Sequence, residues 1–452
     1  MDDTNPNLFP TATANAGEPA ATPCSANDAK PAARLRLPQR QQCEMILESL
    51  DQRVEQDHTV RVVWNFVAQL DLSPWLERIK AVEGRQGRDA NDPRMLLALW
   101  LFATIEGVGS ARELDRLCRE HRAYQWICGG VSVNYHTLAD FRVQHSAFLE
   151  QLFAQSIASL TREGLVDVNL VAQDGMRIRA SAGSDSFRRE AALQTHLQQA
   201  EEHLAKLKTE LEVNPNRLNA RKQAAQLRAA REKQERLASA IDHVREIAAS
   251  REKRKAGDGE SARASSTDPE ARRMKMPDGG TRPAYNAQFA TAVHSGVIVG
   301  VATSNAGNDA HELEPMLEAI RDNTGRTPNE MLLDGGYSTK ENVQMAGADG
   351  PVLYMPLREE KKQLEDGKNP YMPKPKDTEA MKDFRARMGE PESKAKYKLR
   401  GQTAEWTNAQ ARGCGLYMVR VRGKQQVQAV LVLFALGHNL LRAEKLRAEL
   451  KK

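Results

Sequence analysis

No stretch of the 452-residue chain is apolar for long enough to span a membrane. The longest apolar runs, Met95 to Ala103 and Val427 to Leu441, fall short of the roughly 20 residues required, and the second contains His438 and Asn439. The opening residues lack a basic n-region and an apolar h-region, so no secretory signal is expected. Cysteine is scarce: Cys24, Cys43, Cys118, Cys128 and Cys414 are odd in number, scattered and without CxxC spacing. Together these absences point to a reducing cytoplasm, without structural zinc. A strong charge imbalance is also missing. Lys and Arg total 65 against 60 Asp and Glu, a formal +5, which fits a nucleic-acid partner without demanding one.

What is present divides into regions. Residues 1–37 are rich in Ala, Pro, Thr and Asn and contain one aromatic, Phe9, so they are expected to form a disordered tail. From 38 to 164 apolar residues recur at three- and four-residue steps, as in Met95, Leu99, Phe102 and Ile105, which predicts an all-α N-terminal domain. Within it, Ala111–His121 and Tyr135–Gln144 flank Gly129-Gly130, and the second segment carries His136, Arg142 and Gln144. That layout allows a helix-turn-helix reader of DNA; an ordinary bundle helix has the same spacing.

Near Leu165 the period changes to two. Val166, Val168, Leu170, Ala172, Asp174, Met176 and Ile178 share one parity, while Asp167, Asn169, Gln173, Arg177 and Arg179 fall on the other, the pattern of a half-buried strand. Asp174 is anomalous there, because an unpaired carboxylate on an apolar face costs several kcal/mol. A cation should face it. Residues 188–255 follow as an insertion in which Leu193, Leu197, Ala200, Leu204, Leu207 and Leu211 form a heptad seam. Asn214-Pro215-Asn216 interrupts it before a second amphipathic run, so an antiparallel coiled-coil hairpin is expected. Its 16 Lys and Arg against 10 Asp and Glu suit either phosphate contacts or a solvated face.

Residues 256–283 read as a flexible basic loop. After them come a hairpin through His294-Ser295-Gly296, a helix over Asp309–Asp322, a short strand at Glu330–Asp334, a further helix and a strand at Pro351–Pro356. Arg358 to Pro391 is charged and broken by prolines, helix resumes near Glu392, and an apolar helix over Gln425–Leu446 should pack on the sheet, with residues 444–452 as a charged tail. The whole predicts a mixed α/β domain over 165–443 behind the helical one.

Two aspartates stand out: Asp174 within its strand, and Asp334, which ends Met331-Leu332-Leu333 just before Gly335-Gly336. Ligands bind at strand ends in open α/β sheets, and a glycine pair leaves room beside a carboxylate. Taken singly, each also reads as a turn or locally bonded residue. A third element, Tyr397-x2-Arg400-x4-Glu405-x6-Arg412, lies on a predicted helix where the seven-residue step returns Glu405 and Arg412 to one side. Asp309-Ala310-His311-Glu312 has metal-ligand residue types, but its spacing favours a capping box. His294 falls at a hairpin turn, His438 in an apolar helix suits a satisfied core histidine, and Tyr285, Asn286 and Gln288 fit either a supporting or a DNA-facing role.

In order and spacing, the runs VAQDGMRIRASAG, AYNAQFATAV and LLDGGYSTKEN, with Tyr397, Arg400, Glu405 and Arg412, resemble the DDE transposases of bacterial insertion sequences. The branch with a helical insertion after the first aspartate is the nearest likeness, and the resemblance runs from about Gln41 to Arg442, including PRMLLALWLFATIEGVGSARELDRL and FALGHNLLR. It implies a ribonuclease-H-like catalytic domain with Asp174, Asp334 and Glu405 as its acidic triad. The Tyr-Arg-Glu-Lys/Arg signature falls on Tyr397, Arg400, Glu405 and Arg412. Two departures mark this chain: Trp406 stands where relatives often have proline, and Gly401 lies inside the expected helix at a cost of about 1 kcal/mol relative to alanine.

Three carboxylates without thiol or imidazole form a hard oxygen site, suited to two Mg²⁺ or Mn²⁺ ions and in-line phosphodiester displacement. Arg400 and Arg412 are expected to hold phosphate oxygens, and Tyr397 to position the strand. The resemblance further implies double-stranded DNA as partner, both terminal inverted repeats and target, with a homo-oligomer bringing two ends together at the bacterial nucleoid. A metal-dependent nuclease of the same fold, or an inactive DNA-binding descendant, would share these features.

Overall fold

Pro93–Ile105 is apolar at almost every position, so it is stable as a helix only if it is covered on all sides. In a computed structural model of the chain it is buried at Pro93 and from Met95 to Ala103, enclosed by helices before and after it in sequence. The structure describes residues 41, 43, 45, 47–77, 79, 81–82, 89–213, 220–347 and 350–451. Everything below belongs to the compact unit Glu48–Lys452. The expected tail at 1–37 and the turn at Asn214-Pro215-Asn216 lie outside the described residues.

Seven helices come first: α1 (Thr59–Ala68), α2 (Ser73–Leu76), α3 (Pro93–Ile105), α4 (Ala111–Glu120), α5 (Arg122–Cys128), α6 (Tyr135–Gln144) and α7 (Ser146–Arg162). Between the two segments expected as helix and reader helix lies α5, which Gly129 closes in the left-handed conformation that glycine favours. On α6, His136 and Gln144 are exposed but Arg142 is buried. Its guanidinium stacks 4.1 Å from the Trp100 ring and donates to the Gly109 carbonyl at 2.8 Å, so it clamps the bundle and is not displayed.

The chain then enters β1 (Leu170–Arg179), β2 (Phe187–Arg188), α8 (Glu190–Val213), α9 (Ala220–Arg254), β3 (Ala264–Ser265), β4 (Arg272–Lys275), β5 (Thr281–Ala292) and β6 (Ile298–Ser304). It continues through α10 (Leu313–Thr324), β7 (Glu330–Leu332), α11 (Lys340–Ala346), β8 (Val352–Tyr354), α12 (Glu360–Glu365), α13 (Glu379–Gly389) and α14 (Pro391–Arg400). A π-helical turn (Gly401–Glu405) leads into α15 (Trp406–Gly413), and α16 (Lys424–Leu450) ends the fold. The stretch 256–283, expected as a loop, contains β3, β4 and the start of β5, and β4 pairs antiparallel with Thr281–Ala284 at the start of that long strand. Likewise α12 and α13 occupy the charged segment before Pro391, and α16 runs on through most of the expected charged tail.

The sheet is mixed. β1 lies at its centre, antiparallel to β5 and parallel to β7, with β8 beyond β7 and with β4 and β6 both on the far edge of β5. β1 has the alternation expected at its ends, where Asn169 and Arg179 are exposed, but not at its middle. Gln173 is fully buried, and Asn286 and Gln288 on β5 are too, because helices cover both faces. At the middle of the strand, Gln173 Nε2 donates to Gln288 and to the Glu312 carbonyl, while Asp167, Asn169 and Arg179 on the same parity are exposed. α16 packs on β6 and also on α3 and α7, so the first helices and the sheet share one core containing Trp100, Phe102, Phe289 and Phe434. The helical pair α8 and α9 instead buries its own small core of Leu193, Ala200, Leu237, Ala240, Ile241 and Val244, and Arg245 Nε reaches Glu190 across it at 2.7 Å.

Candidate active site

The parallel pairing of β1 with β7 sets the first geometry. Its last register pair is Ala172 with Leu332; Asp174 lies two residues further along β1, and Asp334 two residues past the end of β7. Adjacent strands run about 4.8 Å apart, so equal offsets place the two carboxylates side by side where the strands separate. Asp334 accepts the Gly336 N–H at 2.7 Å and so caps the tight turn over Gly335–Tyr337. A β-carbon on Gly336 would sit 2.9 Å from Asp334 Oδ1, which is why a glycine stands there.

The cation expected opposite Asp174 is Arg400. Its Nη2 lies 3.1 Å from Asp174 Oδ1, which also accepts the Gly175 N–H at 2.9 Å, while Asp174 Oδ2 accepts from Asn408 Nδ2 at 2.9 Å. Burial pushes the Asp174 carboxyl above its ordinary range, Arg400 opposes this, and the charges of Asp334 and Asp309 add to it.

Arg400 and Glu405 are five residues apart, a step that on an α-helix separates side chains by about 140°. The π-helical turn over Gly401–Glu405 widens the spiral by one residue and brings them to one side. Arg400 Nη1 then bonds Glu405 Oε1 at 3.2 Å, so a single guanidinium bridges Asp174 and Glu405. The Arg400 side chain is 12% exposed and that of Glu405 64%. Tyr397, one turn before Arg400, is half-buried. Burial raises its phenol pKa, Arg400 lowers it, and Asp334, Asp174 and Glu405 raise it again, which places the ring within the field of this group. Arg412 is exposed on α15 and is not part of the Asp174–Arg400–Glu405 cluster.

Sequence reasoning missed two residues here. Asn408, one turn after Glu405, is buried and holds the second oxygen of Asp174. Its i+3 spacing from Glu405 was the available signal. Asp309 was expected to cap a helix, but α10 begins at Leu313 after Glu312, which makes no side-chain cap. Asp309 instead accepts from Asn286 Nδ2 at 2.6 Å and Gln288 Nε2 at 2.7 Å and pairs with Arg177 at 3.4 Å, stronger partners than a helix end offers. Asn286 and Gln288 are therefore supporting groups, and Tyr285 is buried with its hydroxyl donated to Asp268 at 2.7 Å. His438 is the core histidine expected, bonded to the Gly296 carbonyl at 2.9 Å, and burial lowers its pKa.

Two segments of this chain match known families. Residues 48–144, from the start of the unit through α6, match the family described as Transposase domain (DUF772). Residues 361–443 match Transposase DDE domain, a span that includes Tyr397, Arg400, Glu405, Asn408 and Arg412. No curated protein and no solved structure matches the chain. Two transposase segments, the second carrying the arginine and glutamate that meet Asp174, support a DDE-type insertion-sequence transposase.

Proposed function

We propose that this transposase binds the terminal inverted repeats of its element, cleaves there with divalent metal ions and transfers the freed 3′-ends to target DNA. The observation that carries the reading is the meeting of Asp174 on β1, the neighbouring Asp334 after β7 and the Arg400–Glu405 turn after α14. A ribonuclease-H-like catalytic domain is supported by the strand order β6-β5-β1-β7-β8, with β5 antiparallel and β7 parallel to β1.

The donors fit a hard divalent cation, since they are oxygen alone: both oxygens of Asp174, with Asp334 and Glu405. Asp174 and Glu405 both bond the Arg400 guanidinium, and among the described residues no three His, Cys, Asp or Glu side chains converge as ligands. Asp174, Asp334 and Glu405 would hold the ions, and metal bound there would activate the attacking hydroxyl and stabilise the leaving 3′-oxygen. Arg400 carries the positive charge that a scissile phosphate seeks. A phosphate oxygen that draws the guanidinium toward itself frees Asp174 and Glu405 together. Asn408 keeps Asp174 in place meanwhile, by holding the oxygen that Arg400 does not touch. Tyr397, in the same field, would position the strand, and exposed Arg412 would meet phosphate further along it. A homo-oligomer on double-stranded DNA follows from the need to join two ends.

The test is incubation with DNA bearing the element's ends, in Mg²⁺ or EDTA, beside Asp334→Ala. Metal-dependent 3′-ends and joined products from wild type alone support the reading. Cutting without joining makes the protein a nuclease, and salt-sensitive binding without products makes it an inactive DNA-binding descendant.

A further inference from the structure

Asp309 lies in the loop between β6 and α10, yet its side chain is only 13% exposed and it contacts β1 through Arg177 and β5 through Asn286 and Gln288. A β-carbon on Gly175, next to Asp174, would lie 2.6 Å from Asp309 Oδ1; one on Gly336, within the Asp334 turn, would lie 3.5 Å from Asp309 Oδ2. The same carboxylate thus fills the space that each glycine leaves open. Three donors hold it: Asn286 Nδ2, Gln288 Nε2 and the Arg177 guanidinium, which also bonds Asn286 Oδ1 at 2.8 Å and the Gly307 carbonyl at 3.0 Å. Gln288 passes the order on, because its Oε1 accepts from the Tyr337 hydroxyl and from Gln173 Nε2. Tyr337 belongs to the turn that Asp334 caps, and Asn342 Nδ2 stitches its carbonyl to that of Ala310, next to Asp309.

We propose that Asp309 is a positioning residue for phosphodiester cleavage: its carboxylate orients Gln288, and through Gln288 and Tyr337 it fixes the turn that presents Asp334 beside Asp174. The proposal rests on the transposase reading. An amide cannot replace the carboxylate without cost. Asparagine offers one acceptor where two amides and a guanidinium converge, and turns its own N–H₂ against one of those donors. The Asp334 turn then loses its reference to β1 while the strands themselves stay paired. Support for a reacting group of this kind typically changes the rate more than substrate binding.

The decisive comparison is wild type against Asp309→Asn, with Gly175→Ala as a second variant that keeps every polar group but crowds the same network. Single-turnover cleavage in Mg²⁺, DNA affinity, melting temperature and backbone hydrogen exchange are measured on the full chain. Both variants should cleave about 10- to 100-fold more slowly with DNA affinity unchanged, and exchange should rise over residues 335–342 alone. Cleavage by Asp309→Asn within about threefold of wild type overturns the proposal. So does a loss accompanied by weaker DNA binding, a lower melting temperature and faster exchange throughout, because that marks a residue needed for the fold. If wild type gives no metal-dependent product, the transposase reading fails, and the exchange pattern decides the positioning claim by itself: a local rise upholds it and no change overturns it.

Discussion

The two halves of the candidate site are held in place by different means. On the sheet, Asp174 is half-buried and bonded at both oxygens, Asp334 caps its own turn, and Asp309, Gln288, Asn286 and Arg177 bond one another beside them. On the helices, Glu405 is largely exposed and meets one charged partner, Arg400, across a π-helical turn. Strand pairing can fix two carboxylates before any ligand arrives. A glutamate on a widened helical turn is set by a single side chain whose charge DNA can also claim. The comparison suggests a preorganised floor and an arm that depends on what Arg400 binds.

Removing the floor should have the largest effect. Asp174→Ala or Asp334→Ala should slow cleavage about a thousandfold, the consequence of losing some 4 kcal/mol of charge stabilisation, while DNA binding persists in a gel-shift assay. Inserting one alanine after Gln402 tests the arm: the added residue would rotate Glu405 away from Arg400 by about 100°, so cleavage should fall about a hundredfold at unchanged helix content by circular dichroism. Equal activity of the insertion would break the distinction between the halves. Asn408→Ala touches both, since an α15 residue holds a β1 carboxylate. It should slow cleavage about tenfold and destabilise the fold by about 1 to 3 kcal/mol in urea titration, by leaving a buried oxygen of Asp174 without its donor.

Arg400→Met sharpens the contrast in another way. With the competing cation gone, Mn²⁺ should bind the DNA-free chain more tightly by calorimetry, even as cleavage declines. The smallest effect concerns pH. Burial keeps the Asp174 proton to higher pH than in the unfolded chain, against the pull of Arg400, so stability should fall as pH rises from 3.8 through the raised value. The ionised carboxylate needed for cleavage appears over the same window, which puts the acid limb of the rate above the ordinary aspartate range. Asp174→Asn should remove this slope from a melting-temperature profile.

Much of the frame was legible in the residue pattern. Period-two alternation located β1, the hairpin turn at Gly296 joins β5 to β6, and Asp174 on an apolar parity called for the cation found in Arg400. The same alternation misled in one respect. Polar residues at every second position of β1 suggested water on that face, but Gln173, with Asn286 and Gln288 from β5, belongs to a buried network. Period two separates polar from apolar faces and does not say whether the polar partners are water or protein. Arg142 on α6 misled similarly, because helical spacing cannot show that Trp100, on another helix, lies over its guanidinium.

By itself the sequence singled out the central strand, the β5–β6 hairpin, both aspartates and the Tyr397–Arg412 spacing, because these depend on local periodicity and residue type. Tertiary structure alone decided that Arg400 bridges Asp174 and Glu405, that the turn between them is π-helical, that Asn408 completes the first aspartate, and that Asp309 leaves its helix cap for the floor of the site. These contacts join residues from separate strands, helices and loops. Their geometry exists only after a sheet has brought β1, β5 and β7 together and the later helices have packed across it.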